Sequence, residues 1–428
     1  MRLLKQHRLL LKAVVALGSL WMLYLINFSK TGWNPTFAFG YSWLEYTDAD
    51  GGPERVCNCP GILQGKREAL EQAKLLTITK AFQDSIHTPD EYYITATQNC
   101  MNFRIRRKYL TFPLSKEEED FPIAYSIVVH HKVENFERLL RAIYAPQNIY
   151  CVHVDKKAEA SVLSAIKAIT SCFSNVFMTS RTVSVVYGGW SRVQADLNCM
   201  ADLYSASKKW KYFINLCGQD FPLKTNLEFV RMLRALTGGN SLESETMPQG
   251  KRWRVTNVHE VVDGKIKRTG KPKTPPPFNL PLMSGNAYIV VSRGYVQSVL
   301  KDYRILALIQ WAKDTYSPDE FLWATIQRVP GVPGATRPNQ KYDMTDLNAI
   351  VRLVKWQWHE GSEDSPQAVY PECQGSHVRE ICVYGAGDLP WLLEHHHLFA
   401  NKFDTERDPI AVYCLEKHLR QKALSESY

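Results

Sequence analysis

Ser317-Pro318-Asp319-Glu320 is the sharpest local grouping of reactive residue types in this chain. A carboxylate fixed rigidly at a helix start is available as a general base for a hydroxyl proton. The same residues also spell a helix beginning, with Ser317 as N-cap, Pro318 in the first turn and Glu320 closing a capping box. The readings are compatible, because a capping box occupies only part of the carboxylate. Arg379 and Lys402 flank the turn Gly385-Ala386-Gly387. Two such cations can neutralise a departing diphosphate without a metal, or they are solvated surface charges. The turn itself lacks the full phosphate-loop or dinucleotide pattern.

Metal ligands are harder to find. The only Asp-x-Asp is Asp48-Ala49-Asp50, far from any strand end, whereas a metal-held diphosphate needs acids at such an end. Asp220 stands at one, with Gly218 and Gln219, and no second acid beside it. His395-His396-His397 can place at most two rings on one ion, and a positive charge at a helix C-terminus is the simpler reading. The chemistry therefore reads as metal-independent, with no cofactor. Trp356 and Trp358 alternate as on a strand and share a face that suits the apolar side of a sugar ring or core packing.

The elements that must position these residues alternate in type. Ile123 to Val129 is an apolar run suited to a buried parallel strand. Helical spacing follows over Phe136 to Tyr144, then a strand at Ile149 to Val154 ending at Asp155. A helix over Val162 to Ile169, a short strand at Val176 to Met178, a longer helix over Ser191 to Ser207 and a strand at Trp210 to Leu216 continue the pattern. This predicts an α/β fold, an open and mostly parallel sheet flanked by helices. Ligands in such sheets bind beyond the carboxyl ends of the strands, where Val128, Val129, His130, Asp155 and Asp220 fall. Further on, Leu282 to Val291 reads as a strand, Ile305 to Asp314 as a helix, and a second helix begins at Ser317. Gly65 to Gln83 has the spacing of a short packed helix.

Compartment follows from the first residues. Arg2, Lys5, His7 and Arg8 precede an apolar stretch from Leu9 to Phe28, about 20 residues or ~30 Å of helix, one hydrocarbon core. The run is too long for a signal-peptide core and lacks a small-x-small cleavage site, so it reads as an uncleaved anchor with the body lumenal. The expected organisation is a cytoplasmic tail (1–8), a transmembrane anchor (9–28), a stem region (29–121) and a lumenal catalytic domain (122–428). Ten cysteines on the lumenal side read as disulfide staples rather than zinc ligands, their pairing open. The net charge of +9 comes without any nucleic-acid motif, and the basic run Arg104, Arg106, Arg107, Lys108 lacks interleaved aromatics. It is also a candidate protease site.

Several long segments carry a resemblance. Phe121 to His131, Tyr150 to Asp155, Trp190 to Cys199, Asn215 to Pro222, Asp314 to Trp323 and Phe399 to Asp404 are similar to the β-1,6-N-acetylglucosaminyltransferases, most closely the mucin-type core 2 branching enzymes of glycosyltransferase family 14. The resemblance runs from about Cys59 to the C-terminus. It implies a GT-A-like fold and an inverting, metal-independent transfer of GlcNAc from UDP-GlcNAc to the 6-hydroxyl of GalNAc in mucin-type O-glycans. Core 4 or I-branching transfer on the same scaffold, or an inactive Golgi glycan-binding protein, are the alternatives. By the same resemblance Glu320 is the base, and Arg379 and Lys402 stabilise the UDP leaving group. Val128, Val129, His130, Asp155, Lys156, Lys157 and Tyr187 match donor-binding positions. Glu243, Lys251, Arg254, Lys341 and Trp358 match acceptor-binding positions, with Arg252 the alternative to Arg254 and tyrosine frequent where Trp358 stands. The implied disulfides are Cys59–Cys414, Cys100–Cys172, Cys151–Cys199 and Cys373–Cys382, with Cys217 an unpaired thiol. Cys57 is extra, either free or joining two chains as a homodimer. Expected partners are UDP-GlcNAc, O-glycosylated glycoproteins and the Golgi membrane. The sequon Asn27-Phe28-Ser29 sits at the membrane edge, where glycan transfer is disfavoured.

Overall fold

The computed structural model describes residues 57–79, 82, 88–340, 345, 347–362, 365 and 368–426. The expected tail and anchor, Asn27, Asp48-Ala49-Asp50 and Lys341 lie outside them. Among the described residues no helix is long and apolar enough to cross a membrane.

Four strands enter the central sheet in order: β1 (Ile123–Val129), β2 (Ile149–Val154), β3 (Val176–Met178) and β4 (Tyr212–Cys217). All seven residues of β1 are buried, which is why the sequence there is apolar without alternation. Next come β5 (Asp220–Pro222), β6 (Glu245–Thr246), the hairpin β7 (Asn257–Val262) and β8 (Lys265–Pro272), β9 (Met283–Ser284) and β10 (Val290–Ser292). The sheet order is β10-β4-β1-β2-β3, with β1 parallel to β2 and β4, and β10 antiparallel at the edge. The chain leaves β1 toward β2 and later returns to β4 on the other side. That reversal opens a crevice at the carboxyl ends of β1, β2 and β4.

A second sheet supplies the other wall. β11 (Arg352–Val354) and β14 (Phe399–Asn401) run parallel, and β14 pairs antiparallel with β5, which follows β4 after Gly218 and Gln219. Between β11 and β14 lies a small hairpin, β12 (Ser376–Val378) and β13 (Ile381–Val383). Disulfides join Cys59 to Cys414, Cys100 to Cys172, Cys151 to Cys199 and Cys373 to Cys382. Cys217 forms none, and Cys57 Sγ lies 4.0 Å from the bonded Cys59 Sγ.

Two apolar cores hold the walls together. One centres on Phe213, Ile289, Tyr295 and Trp323 beneath the central sheet. The other joins Ile62, Ala69, Ala73 and Phe82 of the N-terminal helices to Leu389, Tyr384, Ile410 and Leu415. The helix Arg67–Thr77 thus packs, as its spacing predicts.

Several local expectations are corrected. Leu282 to Val291 is not one strand: only β9 and β10 pair, because the chain crosses from one sheet to another at Gly285, where a Cβ would sit 2.4 Å from the Glu243 carbonyl oxygen. Ser317 is no N-cap. It adopts φ 43° and makes no side-chain cap bond; a 3-10 turn covers Pro318–Glu320 and the helix starts at Leu322. Trp356 and Trp358 do not lie on a strand, since β11 ends at Val354 and a 3-10 turn spans Gln357–His359. The histidines follow a helix ending at Glu394, but burial pushes the pKa of His397 down to about 3 and that of His395 down as well, which works against a positive end charge on those two rings. The basic run is no open protease site: Arg107 is paired with the buried Glu137, and Lys108 is buried at φ 57°.

Candidate active site

The crevice is built from strand ends. His130 is the first residue beyond β1 and Asp155 the first beyond β2. Asp155 donates its N–H to the Val129 carbonyl at 2.8 Å, and Gly218 donates to Val128 at 3.1 Å, so the three parallel ends close on one another. A Cβ on Gly218 would sit 3.3 Å from the Val129 side chain, which makes glycine the fitting residue there. The Asp155 carboxylate accepts from the Lys157 N–H at 2.9 Å and the Val185 N–H at 3.3 Å. Lys156 N–H reaches the Val183 carbonyl at 3.1 Å, and Lys157 Nζ the Val185 carbonyl at 2.6 Å. These bonds pin the segment that presents Tyr187, a residue 74% exposed.

Arg379 approaches that ring from the opposite wall, its Cζ 5.2 Å from the Tyr187 centroid, a cation over an aromatic face. Lys402 Nζ donates to the carbonyl of Val378 at 3.2 Å, one residue before Arg379. Burial lowers the Lys402 pKa first, with Arg379 and Arg352 adding to it, while Cys217 opposes. The His130 ring is stacked on His131 with centroids 3.9 Å apart. Its pKa falls through burial and His131, with Lys157 and Arg379 contributing and Asp155 opposing. Lys157, Arg379 and Lys402 thus bring cations to one place beside His130, Asp155 and Tyr187, an arrangement suited to a diphosphate.

Glu320 stands on the other side of Tyr187. Ser317 donates its N–H to Gly188 at 2.7 Å, and Gly188 at φ +69° packs so closely on Tyr316 that a Cβ would sit 3.2 Å from the ring. The Tyr187 loop is therefore braced directly against the turn carrying Glu320. Arg254 Nη1 pairs with Glu320 Oε2, and Arg254 Cζ lies 5.8 Å from the Tyr316 ring. Arg252 is exposed, so the residue at the carboxylate is Arg254. Gly285 N–H donates to the Glu320 carbonyl at 2.8 Å while packing on Glu243, which brings buried Glu243 to the same place. Lys251 lies on the 3-10 segment Gln249–Val255 that also carries Arg254. Trp358 is 52% exposed and stacks on Trp356 at 4.7 Å. Gln357, beside it, donates its N–H to Glu380 at 2.8 Å, next to Arg379.

Comparison with known proteins identifies the family. A family model described as Core-2/I-Branching enzyme matches residues 123–393. The chain belongs to the Core-2/I-branching enzyme family. A human β-1,3-galactosyl-O-glycosyl-glycoprotein β-1,6-N-acetylglucosaminyltransferase is 57% identical over 373 residues, 87% of each chain. A second human protein of that name, numbered 3, is 54% identical over 87% of this chain and 84% of its own. The bovine herpesvirus 4 (strain LVR140) protein with the first name is 55% identical over the same shares, 87% and 84%. Among solved structures, one from Bacillus anthracis described as a glucose-1-phosphate thymidylyltransferase covers 42% of this chain and 75% of its own at 11% identity and a TM-score of 0.23, too low to inform the fold.

Other residues of this branching-enzyme site are not among the sequence candidates. Asp196 accepts from Arg192 at 2.6 Å, Asn215 at 2.9 Å and Ser126 at 3.1 Å, fixing the underside of the crevice. The Arg192/Asp196 spacing of four on a predicted helix is the only sequence signal for it. Tyr288 lies between Arg192 and Arg352, the latter 3.5 Å from its ring centroid. Asp319 keeps an unpartnered, buried Oδ1, and burial with the Glu320 charge pushes its carboxyl up to about 6.

Proposed function

We propose that this chain transfers GlcNAc from UDP-GlcNAc, with inversion, to the 6-hydroxyl of GalNAc in mucin-type O-glycans. The carrying observation is Glu320 held at the crevice by Arg254, with the Tyr187 loop between it and the Arg379/Lys402 pair. The names of the relatives point the same way. In the reaction the sugar C1–O bond to UDP breaks as the acceptor O6–C1 bond forms. The hydroxyl proton passes to Glu320, and the bonding pair leaves on the diphosphate, where Arg379 and Lys402 offset the growing charge. The aromatic face of Trp358 lies open on the acceptor side.

Metal-independence is part of this reading. The acids at the strand ends are already engaged: Asp155 by two backbone N–H groups, and Asp220 by the Cys217 N–H at 2.6 Å, Asn401 at 2.9 Å and Arg352 at 3.6 Å. Among the described residues, the two sulfur-bearing clusters near enough to share an ion, Cys57/Cys59/Cys414 and Glu360/Cys373/Cys382, each have two sulfurs in a disulfide. We further propose a GT-A-like fold and a Golgi type II anchor formed by residues 9–28.

The test is Glu320→Gln. Transfer to a core 1 disaccharide is expected to fall by roughly 10³-fold or more, while UDP binding and melting temperature hold. EDTA is expected to leave wild-type turnover unchanged. Near-normal transfer by the variant removes Glu320 as base, and metal-restored turnover removes the cation-pair mechanism. Core 3 and polylactosamine acceptors in the same assay separate core 4 and I-branching from core 2.

A further inference from the structure

Arg379 sits in an unusual place for a residue that must hold a fixed position. It and Glu380 form the two-residue turn of the β12–β13 hairpin, with φ 53° and φ 64°. Both are in the left-handed region, the pattern that two-residue hairpin turns fill with Asn or Gly. Neither residue is a glycine, so the surroundings must impose this conformation.

They do so from both flanks. Lys402 Nζ holds the carbonyl of Val378 at 3.2 Å. Gln357 N–H holds the carbonyl of Glu380 at 2.8 Å, and Cys382 N–H reaches Lys355 at 3.0 Å. A further hold is the side chain of Glu360. Glu360, just past Trp358, places Oε1 2.9 Å from His377 Nε2 on β12 and accepts the Cys373 N–H on Oε2 at 2.9 Å. Its side chain is only 6% exposed, and that of His377 28%. Glu360 therefore spans from the tryptophan turn to both the base and the first strand of the hairpin that carries Arg379.

We infer that Glu360 and His377 are positioning residues that lock the tryptophan platform on the acceptor side to the arginine turn on the donor side, so that the two halves of the site move as one body. This rests on the functional reading above. A buried carboxylate joining two segments by two hydrogen bonds fixes their relative placement, and removing it releases both.

The experiment compares Glu360→Ala, Glu360→Gln, His377→Ala, Arg379→Ala and the Glu360→Ala/Arg379→Ala pair in the secreted protein. UDP affinity is measured by calorimetry without acceptor, and KM and kcat with UDP-GlcNAc and core 1 disaccharide. Glu360→Ala is expected to weaken UDP and to raise the acceptor KM, each on the order of tenfold. Glu360→Gln, which keeps an acceptor for Cys373 and a partner for His377, is expected to stay within about threefold of wild type. The double variant is expected to bind UDP no more weakly than Arg379→Ala alone, because Glu360 acts through Arg379.

A change in melting temperature with unaltered UDP affinity and acceptor KM in the folded protein overturns the inference, as does full additivity with Arg379→Ala. If Glu360→Ala is not secreted, His377→Ala decides by the same two measurements. Wild-type protein that binds no UDP overturns the functional reading, and this inference with it. Wild-type binding with no effect of either substitution overturns the inference alone.

Discussion

Arg254 and Asp319 treat Glu320 in opposite ways. Arg254 pairs with Oε2, which aims the carboxylate. Truncating it removes a charge-assisted bond worth about 1.5–3 kcal/mol, so Arg254→Ala is expected to lower kcat/KM for the acceptor by roughly 10–100-fold with UDP affinity unchanged, measurable by steady-state kinetics and calorimetry. Asp319 adds a second, buried acid whose pKa is raised to about 6, through burial first and the Glu320 charge next, with Arg192 opposing. Asp196 and Tyr187 complete the titratable surroundings. A raised carboxyl pKa means the folded state holds the proton longer than the unfolded chain. Its penalty is absent below about pH 4, grows through about pH 6 and is complete above. Asp319→Asn is therefore expected to match wild type in melting near pH 4 and to exceed it by roughly 1–3 kcal/mol near pH 7.5. Melts that run parallel across that range count against the assignment. Residue identity made Glu320, Arg379 and Lys402 visible in the sequence. It could not show that Ser317 is left-handed and that Glu320 is held by an arginine 66 positions away rather than by a cap.

At the scale of elements, legibility follows how local the cause is. β1, β2 and β4 announce themselves because strands buried on both faces need apolar residues at every position. The β7–β8 hairpin carries an Asp263-Gly264 turn, a readable signal, yet most of its strand residues are polar or charged, which hides the pattern. The β12–β13 turn has no such signal, since tertiary contacts impose it. Long-range ion pairs are equally silent in sequence. Glu137, fully buried, is paired with Arg107 and also accepts the Tyr109 hydroxyl at 3.1 Å. Nearby, Arg141 pairs with Glu416 at 2.5 Å on the C-terminal helix. Burial alone raises the Glu137 pKa, but Arg107 and Arg141 outweigh it and hold it at about 2. Its contribution is present above the unfolded value near 4.5 and is lost as pH falls toward 2. Glu137→Gln leaves buried guanidinium groups short of a counter-charge, and is expected to cost about 3–5 kcal/mol at pH 7, read from denaturant midpoints. The difference from wild type should shrink in acid.

The whole molecule depends on its N-terminal helices more than their distance from the site suggests. Cys59 is bonded to Cys414 across a sequence separation of 355, and Ile62, Ala69 and Ala73 enter the same core as Leu389 and Tyr384. That core backs the segment between the Arg379 hairpin and β14, which leads directly into Lys402. The helices Asp90–Ala96 and Cys100–Arg106 reach the central layers too, through Cys100–Cys172 and the Arg107–Glu137 pair. A secreted chain starting at Thr47, which keeps Cys59 and both N-terminal helices, is therefore expected to keep turnover within about twofold of the full chain in detergent. A chain starting at Thr88 loses the long-range disulfide and exposes Leu389 and Tyr384. It is expected to lose roughly 5 kcal/mol or more of stability. Because the lost packing backs Lys402 rather than Glu320, any folded remainder should show its defect first in UDP affinity, with acceptor KM less affected. Calorimetry with UDP on the two truncated chains decides this, and equal UDP affinity would mean that the core behind β14 holds its shape without the N-terminal helices.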